Sequence, residues 1–262
     1  MCGRFSVNID YEELKDRYPK HKFRPVKISF NFAPTMQLPV IINENVISMN
    51  WGLIPSWAKD NSFASKMINA RSETLIEKPS FKNLVDTNRC IIISNGFYEW
   101  DTKTKSPYYI YSINKNIMAF GGLFSSWINQ ANETIHTFTI ITTEPNNTLS
   151  KIHHRMPLIL NEGDDIRWIN NSNNYESVKD LIKPYQDNKI DMYEISTLVN
   201  SVKNDSSEIQ TNRLDEDQKT KLMSLSGVKQ FPMRVKCATL SWHTLASAID
   251  GKKEEVNTEV ID

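Results

Sequence analysis

Short apolar runs, each broken by Asn, Gly, Pro or Lys, dominate the middle of the chain. They are rich in β-branched and aromatic side chains, which suit the pleated, half-buried surface of a sheet. This pattern predicts strands at 39–42, 90–93, 108–113, 118–124 and 137–143.

Apolar residues recur at helical spacing in fewer places, and they predict helices at 11–18, 72–78 and 175–182. Ser72 stands where it could cap the second of these helices. Strands in the middle with few helices around them indicate an α+β fold, a single domain with a largely antiparallel β core and peripheral helices over residues 2–205.

The composition changes near the end of that domain. Residues 204–221 are polar and charged, and an amphipathic stretch and a charged end follow them. We therefore expect residues 206–262 to be a polar linker and a C-terminal appendix with disordered parts.

The bulk charge does not point to a polyanionic partner, because 31 basic residues balance 31 acidic ones. The three cysteines, Cys2, Cys90 and Cys237, are widely spaced without a CxxC pair, which argues against a disulfide framework, and no His/Cys cluster has the spacing of a metal site. No apolar run approaches a membrane span and the N-terminus is polar. We expect a soluble, intracellular monomer without a metal or cofactor.

The chain begins MCGRF, so removal of the initiator methionine leaves Cys2 with a free α-amine beside its thiol. Such an aminothiol can form a Schiff base with an aldehyde, and the thiol can then close a five-membered thiazolidine ring. An α-amine has a pKa of about 7.7 to 8.0, so it is a better nucleophile at neutral pH than an ordinary lysine at about 10.4.

Polar residues in apolar surroundings supply further candidates. Glu99 lies between aromatic residues in NGFYEW, where a carboxyl group gains a raised pKa and can move protons. His153 in IHHRMP could act as an acid or base. Asn69 in INARSETL could present an amide to the Cys2 amine, and Arg71 a guanidinium to a phosphate. Each of these also has a purely structural interpretation, as an ion pair or a loop residue.

Two tryptophans lie in WGLIPSWAKD. Such residues can stack on unpaired bases, although they are more often core residues, and we assign Trp51 to the core. Trp57 is the candidate for base stacking.

Taken together, these segments resemble the SOS response-associated peptidase-like (SRAP) family, whose members process abasic sites in DNA. The matching stretches follow the family order from residue 2 to about 205. They include MCGRF, NFAPT, WGLIPSWAKD, NARSET, RCIIISNGFYEW, TIITTEPN, IHHRMPLIL and VNSVKND.

The resemblance implies covalent capture of abasic sites in single-stranded DNA through a thiazolidine cross-link that shields the lesion. It implies that Cys2 is the nucleophile, Asn69 orients its amine, Glu99 shuttles protons and His153 assists opening of the sugar ring. It also implies DNA contacts by Arg4, Asn31, Arg71 and Arg155. The family name adds a peptidase activity. Only Met1 stands before Cys2 here, so we expect maturation not to depend on self-cleavage.

The sequence departs from the family pattern at a few positions. His154 stands where the family usually has aspartate, Ile93 where proline is frequent, Asn95 where an acid is frequent and Met36 where glutamine is frequent. The proposed reacting groups are intact.

Two other classes of protein stay open. An N-terminal nucleophile amidohydrolase also begins with MCG, and its release of ammonia from glutamine would identify it. A non-covalent reader of single-stranded or modified DNA would use the aromatic and arginine residues alone, and it would bind DNA without forming a cross-link.

Overall fold

A computed structural model of the chain describes residues 2–24, 27–114 and 117–213. These residues form an α+β fold with two largely antiparallel sheets. The strands, numbered β1 to β13, are Arg4–Val7, Ser29–Phe32, Gln37–Ile41, Val46–Trp51, Asn69–Arg71, Arg89–Ser94, Gly96–Trp100, Pro107–Ser112, Met118–Ile128, Thr134–Thr143, Met156–Pro157, Ile159–Leu160 and Ile190–Glu194. The α-helices, α1 to α4, are Tyr11–Arg17, Asn147–Ser150, Asp164–Ile169 and Tyr175–Val178. Short 3-10 turns span Asn61–Lys66, Ser72–Thr74, Lys179–Leu181, Asp187–Lys189, Thr197–Asn200 and Ser207–Gln210.

The first sheet has the strand order β13-β8-β7-β1-β2. The second follows β11-β10-β4-β3-β6-β9-β12, and an additional pairing of β10 with β9 closes five of its strands into a ring. Strand β10 pairs in parallel with β4 and β5 and antiparallel with β9 and β11. It therefore brings segments that are distant in the sequence to one place.

The chain passes from the second sheet to the first at the junction of β6 and β7. Ser94 ends β6, and its hydroxyl donates to the carbonyls of Ser6 and Gly96 at 2.9 and 2.8 Å. Position 96 must be glycine, since a Cβ atom there would lie 2.5 Å from the carbonyl oxygen of Ile110. The junction fixes where β7 begins.

The strand predictions match β3, β6, β8, β9 and β10, and the predictions of α1 and of a helix near 175 are also met. The predicted helix at 72–78 is wrong, because only a 3-10 turn, Ser72–Thr74, forms there, and Arg71 rather than Ser72 precedes it without a side-chain cap. Pro79 disfavours helical geometry at Lys78. The remaining residues are too few to offset the cost of starting a helix.

The first compact unit is Met1–Asn212. It includes the start of the polar segment at 204–221, because Ile209 is buried against Tyr98, Tyr109 and Val199. The division into a domain at 2–205 and an appendix at 206–262 stays a prediction. The second unit, Arg213–Asp262, lies outside the described residues except for Arg213, and so does Cys237.

No helix in the described part of the chain is both long and apolar enough to cross a membrane.

Candidate active site

Cys2 lies buried at the entry to β1 and is held by Asn69. The Asn69 side chain comes from β5 and donates from Nδ2 to the carbonyl oxygen of Cys2 at 2.8 Å. The sequence predicted a contact with the amine, whereas the bond in the structure reaches the carbonyl. The buried Oδ1 atom of Asn69 has no hydrogen-bond partner among the described residues, so this amide keeps an acceptor next to Cys2.

Glu99 reaches the same region through the pairing of β1 with β7. Arg4 lies opposite Tyr98 and Phe5 opposite Phe97, so this antiparallel register carries residues 2 and 3 towards the end of β7. Side chains alternate along a strand, which puts Glu99 on the same face as Phe97. Glu99 is 2 % exposed.

Glu99 faces His153, whose Nε2 atom lies 3.8 Å from Oε2 of Glu99. Burial raises the pKa of Glu99 to about 7, although the charge of the N-terminal amino group opposes the rise. Burial and the same N-terminal charge lower the pKa of His153 to about 4. The carboxyl group therefore titrates near neutral pH beside a neutral imidazole.

The thiol of Cys2 is protonated at neutral pH. Burial, reinforced by the charge of Glu99, raises its pKa far above the ordinary value of 9.0. A buried thiol of this kind is a poor nucleophile until it gives up its proton. Any chemistry at Cys2 therefore needs a proton acceptor close by, and Glu99 is a buried carboxyl whose charge acts on this thiol.

Arg155 fixes the orientation of His153. Its backbone N–H lies 3.1 Å from Nδ1 of His153 and donates to it. The carbonyl oxygen of Arg155 also lies 3.1 Å from Nδ1, so the backbone of Arg155 can serve either tautomer. In the tautomer that accepts at Nδ1, the proton is on Nε2, the atom that faces Glu99.

The side chain of Arg155 is itself anchored. It forms an ion pair with Glu73, and its Nη2 also donates to the carbonyl of Thr142 at 2.5 Å. This bond with Arg155 holds the pKa of Glu73 below its ordinary value. Glu73 and Thr142 were not singled out as site residues from the sequence, although Glu73 lies two residues from Arg71 in the same motif.

Arg4 and Asn31 form a second cluster, in which Nη1 of Arg4 donates to Oδ1 of Asn31 at 2.7 Å. Both side chains also bind the segment of residues 197–205, which we call the strap. Asn31 is 1 % exposed, and its Nδ2 donates to the carbonyls of Val199, Ser201 and Asn204. Arg4 donates to the carbonyl of Val199 at 2.9 Å.

Asp205 ends the strap and fastens it to β2. Its carboxylate accepts from the backbone N–H groups of Phe30 and Asn31 at 2.6 and 2.8 Å. The structure thus gives Asn31 a packing role, and its contact with DNA stays a prediction.

Arg71 and Trp57 lie on the surface. Arg71 is exposed, and its position on β5 is opposite Thr142 of β10, the residue that binds Arg155. Trp57 is 56 % exposed and makes an edge contact with Phe63 at 5.4 Å. Trp51, in contrast, is fully buried, as predicted. No described contact joins Trp57 to the residues around Cys2.

Within residues 2–24, 27–114 and 117–213, no group of three or more His, Cys, Asp or Glu side chains could hold a metal ion. Cys2 and Cys90 are both buried as free cysteines.

Comparison with known proteins places this arrangement in a wider group. Residues 1–202 match the family model described as SOS response associated peptidase (SRAP). The chain is 40% identical over 220 residues to a protein of Bacillus subtilis (strain 168) named abasic site processing protein YoqW, a match that covers 80% of this chain and 98% of that relative. It is 31% identical over 264 residues to abasic site processing protein HMCES of Gallus gallus, covering 79% of this chain and 76% of that relative.

The fold agrees with these matches. A crystal structure of a protein from Bacteroides thetaiotaomicron superposes with a TM-score of 0.75 at 29% sequence identity. The superposition covers 81% of this chain and all of that one.

Proposed function

Because this chain belongs to the SRAP family, we propose that it processes abasic sites in DNA and that it does so by covalent capture through Cys2. The substrate is the aldehyde of an abasic deoxyribose in single-stranded DNA. The observation that carries the proposal is the meeting of four groups at one buried place: Cys2, the amide of Asn69 and the facing pair of Glu99 and His153.

The reaction begins once hydrolysis has removed Met1 and freed the Cys2 amine. The lesion is mostly a closed hemiacetal, so the ring must open first. Glu99 as carboxylate takes the proton of the hydroxyl group and returns it to the ring oxygen as the C–O bond of the ring breaks. Neutral His153, in the tautomer that carries its proton on Nε2, stabilises the developing charge on that oxygen by a hydrogen bond. The low pKa of His153 and the near-neutral pKa of Glu99 support these roles at pH 7.

The Cys2 amine then adds to the aldehyde carbon, and the carbinolamine loses water to give a Schiff base. Glu99 takes up the proton that the nitrogen releases and gives it to the departing hydroxyl. The thiol next adds to the imine carbon, a C–S bond forms, and the thiol proton passes through Glu99 to the nitrogen. One water is released overall, and the product is a thiazolidine that needs no oxidant or reductant.

The remaining predicted residues bind DNA in this proposal. Trp57 stacks on an unpaired base, and Arg4, Asn31, Arg71 and Arg155 contact the DNA backbone. Autopeptidase activity is secondary in this proposal, because the capture of an aldehyde does not use it. We place the protein inside the cell, where its substrate is.

The test is a denaturing gel after incubation with single-stranded DNA that carries one abasic site. The methionine-free protein should shift by the mass of the oligonucleotide. Cys2→Ala should leave at most a reversible Schiff base, which borohydride traps, and Cys2→Ser should behave similarly. A stable adduct formed by Cys2→Ala would refute the thiazolidine step.

The same preparation separates the rival functions. Retained DNA binding without any adduct, in protein whose N-terminal Cys2 is confirmed by mass spectrometry, would favour a non-covalent reader. Release of ammonia from glutamine would favour the amidohydrolase.

A further inference from the structure

His154 stacks on the proposed catalytic histidine. The ring centroids of His153 and His154 lie 4.5 Å apart with 23° between the planes. His153 is buried and His154 is exposed. One face of the His154 ring is therefore covered, and the residue presents the outer end of a two-ring stack.

His154 also lines a cleft of about 440 Å³, together with Thr102, Glu144, Pro145, Ser150 and His153. This volume falls within the range of small-molecule pockets. The cleft thus adjoins the proposed catalytic histidine directly, but no step of the proposed reaction uses its outer part.

Backbone hydrogen bonds hold the walls of the cleft. The N–H of Thr102 donates to the carbonyl of Ile152 at 3.0 Å, and the N–H of His153 donates to the carbonyl of Leu149 at 2.9 Å. The bond from Arg155 to Nδ1 of His153 fixes the inner ring of the stack. The platform is therefore preorganised, which reduces the entropy lost on binding.

The side chains that line the cleft favour the binding of a nucleobase over the binding of a phosphate. A flat imidazole can stack on any unpaired base. The carboxylate of Glu144 would repel a phosphate, but it accepts a hydrogen bond from an exocyclic amino group, as carboxylates do from cytosine. The hydroxyl groups of Thr102 and Ser150 add polar partners around the same cleft.

We propose that this cleft is a nucleobase subsite, in which an unpaired base next to the lesion, one with an exocyclic amino group, stacks on His154. The proposal rests on the proposed function, because it supposes that the abasic sugar lies at His153. A side chain without a ring at position 154 could not stack in this way.

The experiment uses single-stranded DNA with a tetrahydrofuran analogue of the abasic site, which has no aldehyde and forms no cross-link. A 2-aminopurine base, which carries an exocyclic amine, neighbours the analogue, and its fluorescence falls when it stacks. We expect saturating protein to quench it, His154→Phe to retain the quenching, and His154→Ala and His154→Asp to lose it. Loss of one stacked base should weaken binding about tenfold in His154→Ala.

The two proposals fail in different ways in this experiment. If the chain binds the oligonucleotide but all four proteins quench equally, or none does, the subsite is overturned and the proposed function stands. If the unmodified chain does not bind at all, both are overturned. Retained quenching in His154→Phe shows in addition that substitution at position 154 leaves the fold intact.

Discussion

At the scale of single residues, burial changes the pKa values of Glu99 and His153. Both side chains are buried and lie 3.8 Å apart, and burial favours the neutral form of each. For an acid this raises the pKa and for a base it lowers the pKa, so the two groups shift in opposite directions. Their contributions to the pH dependence of stability must then have opposite signs.

Glu99→Gln should stabilise the fold at alkaline pH. Burial raises the pKa of Glu99 from 4.5 to about 7, so the native state binds more protons than the unfolded chain between these values. The free energy of unfolding therefore falls as pH rises through that window, by on the order of 3 kcal/mol at full effect. In urea denaturation, the variant should match the unmodified protein near pH 4 and exceed it at pH 8.

His153→Gln is the matched control, with the opposite sign. The pKa of His153 is lowered from 6.5 to about 4, so the unfolded chain binds more protons in that window and stability falls as the medium is acidified. The variant should lose this dependence and keep that of Glu99. Identical pH profiles for the two variants would contradict the assignment of neutral forms to both groups.

At the scale of elements, two pieces of the chain assemble the site. Strand β10 pairs with β5, which carries Asn69 and Arg71. The carbonyl of Thr142 in β10 also accepts a hydrogen bond from Arg155. The strap at 197–205 binds Arg4 and Asn31, because its backbone carbonyls accept hydrogen bonds from both side chains. Neither piece reacts in the proposed mechanism, but each sets where a reacting or binding group lies.

Asn31→Ala should release the strap. The substitution removes three hydrogen bonds to backbone carbonyls and one to Arg4, in a side chain that is 1 % exposed. Because buried groups lose their hydrogen-bond partners, we expect the free energy of unfolding to fall by on the order of 2 to 4 kcal/mol. Urea denaturation measures it, with exposed Asn45→Ala as the control.

A DNA contact by Asn31 can be separated from this packing role. If Asn31 acts through packing, the variant should cross-link more slowly but keep its dependence on salt. Unchanged stability together with a weaker salt dependence would instead make Asn31 a direct DNA contact.

At the scale of the whole molecule, the balance of 31 basic and 31 acidic residues leaves no net attraction for DNA. Binding must then depend on a few local cations. Arg71 is an exposed guanidinium group, and we expect it to neutralise a phosphate.

Arg71→Gln should weaken binding to single-stranded DNA uniformly across sequences. Loss of one phosphate contact should reduce the slope of log affinity against log salt by about 0.7. Fluorescence anisotropy with the tetrahydrofuran oligonucleotide, between low and high salt, gives the slope. Lys59→Gln on the loop that carries Trp57 serves as a comparison, and an unchanged slope in Arg71→Gln would remove this residue from the DNA contacts.

The sequence by itself determined the five strands β3, β6, β8, β9 and β10, the aminothiol at Cys2 and the presence of a carboxyl group among aromatic residues at Glu99. These are local properties, because β propensity, alternation and residue chemistry act over a few positions. The resemblance to a family depended on the same short motifs.

Only the tertiary structure decided which distant residues meet. Asn69 reaches the carbonyl of Cys2 from β5, which pairs with β10, and Arg155 pairs with Glu73 across a separation of 82 residues. The stack of His154 on His153 depends likewise on how the loop after α2 is held. Strand pairing and side-chain anchoring join residues far apart in the chain, and no local periodicity encodes such contacts.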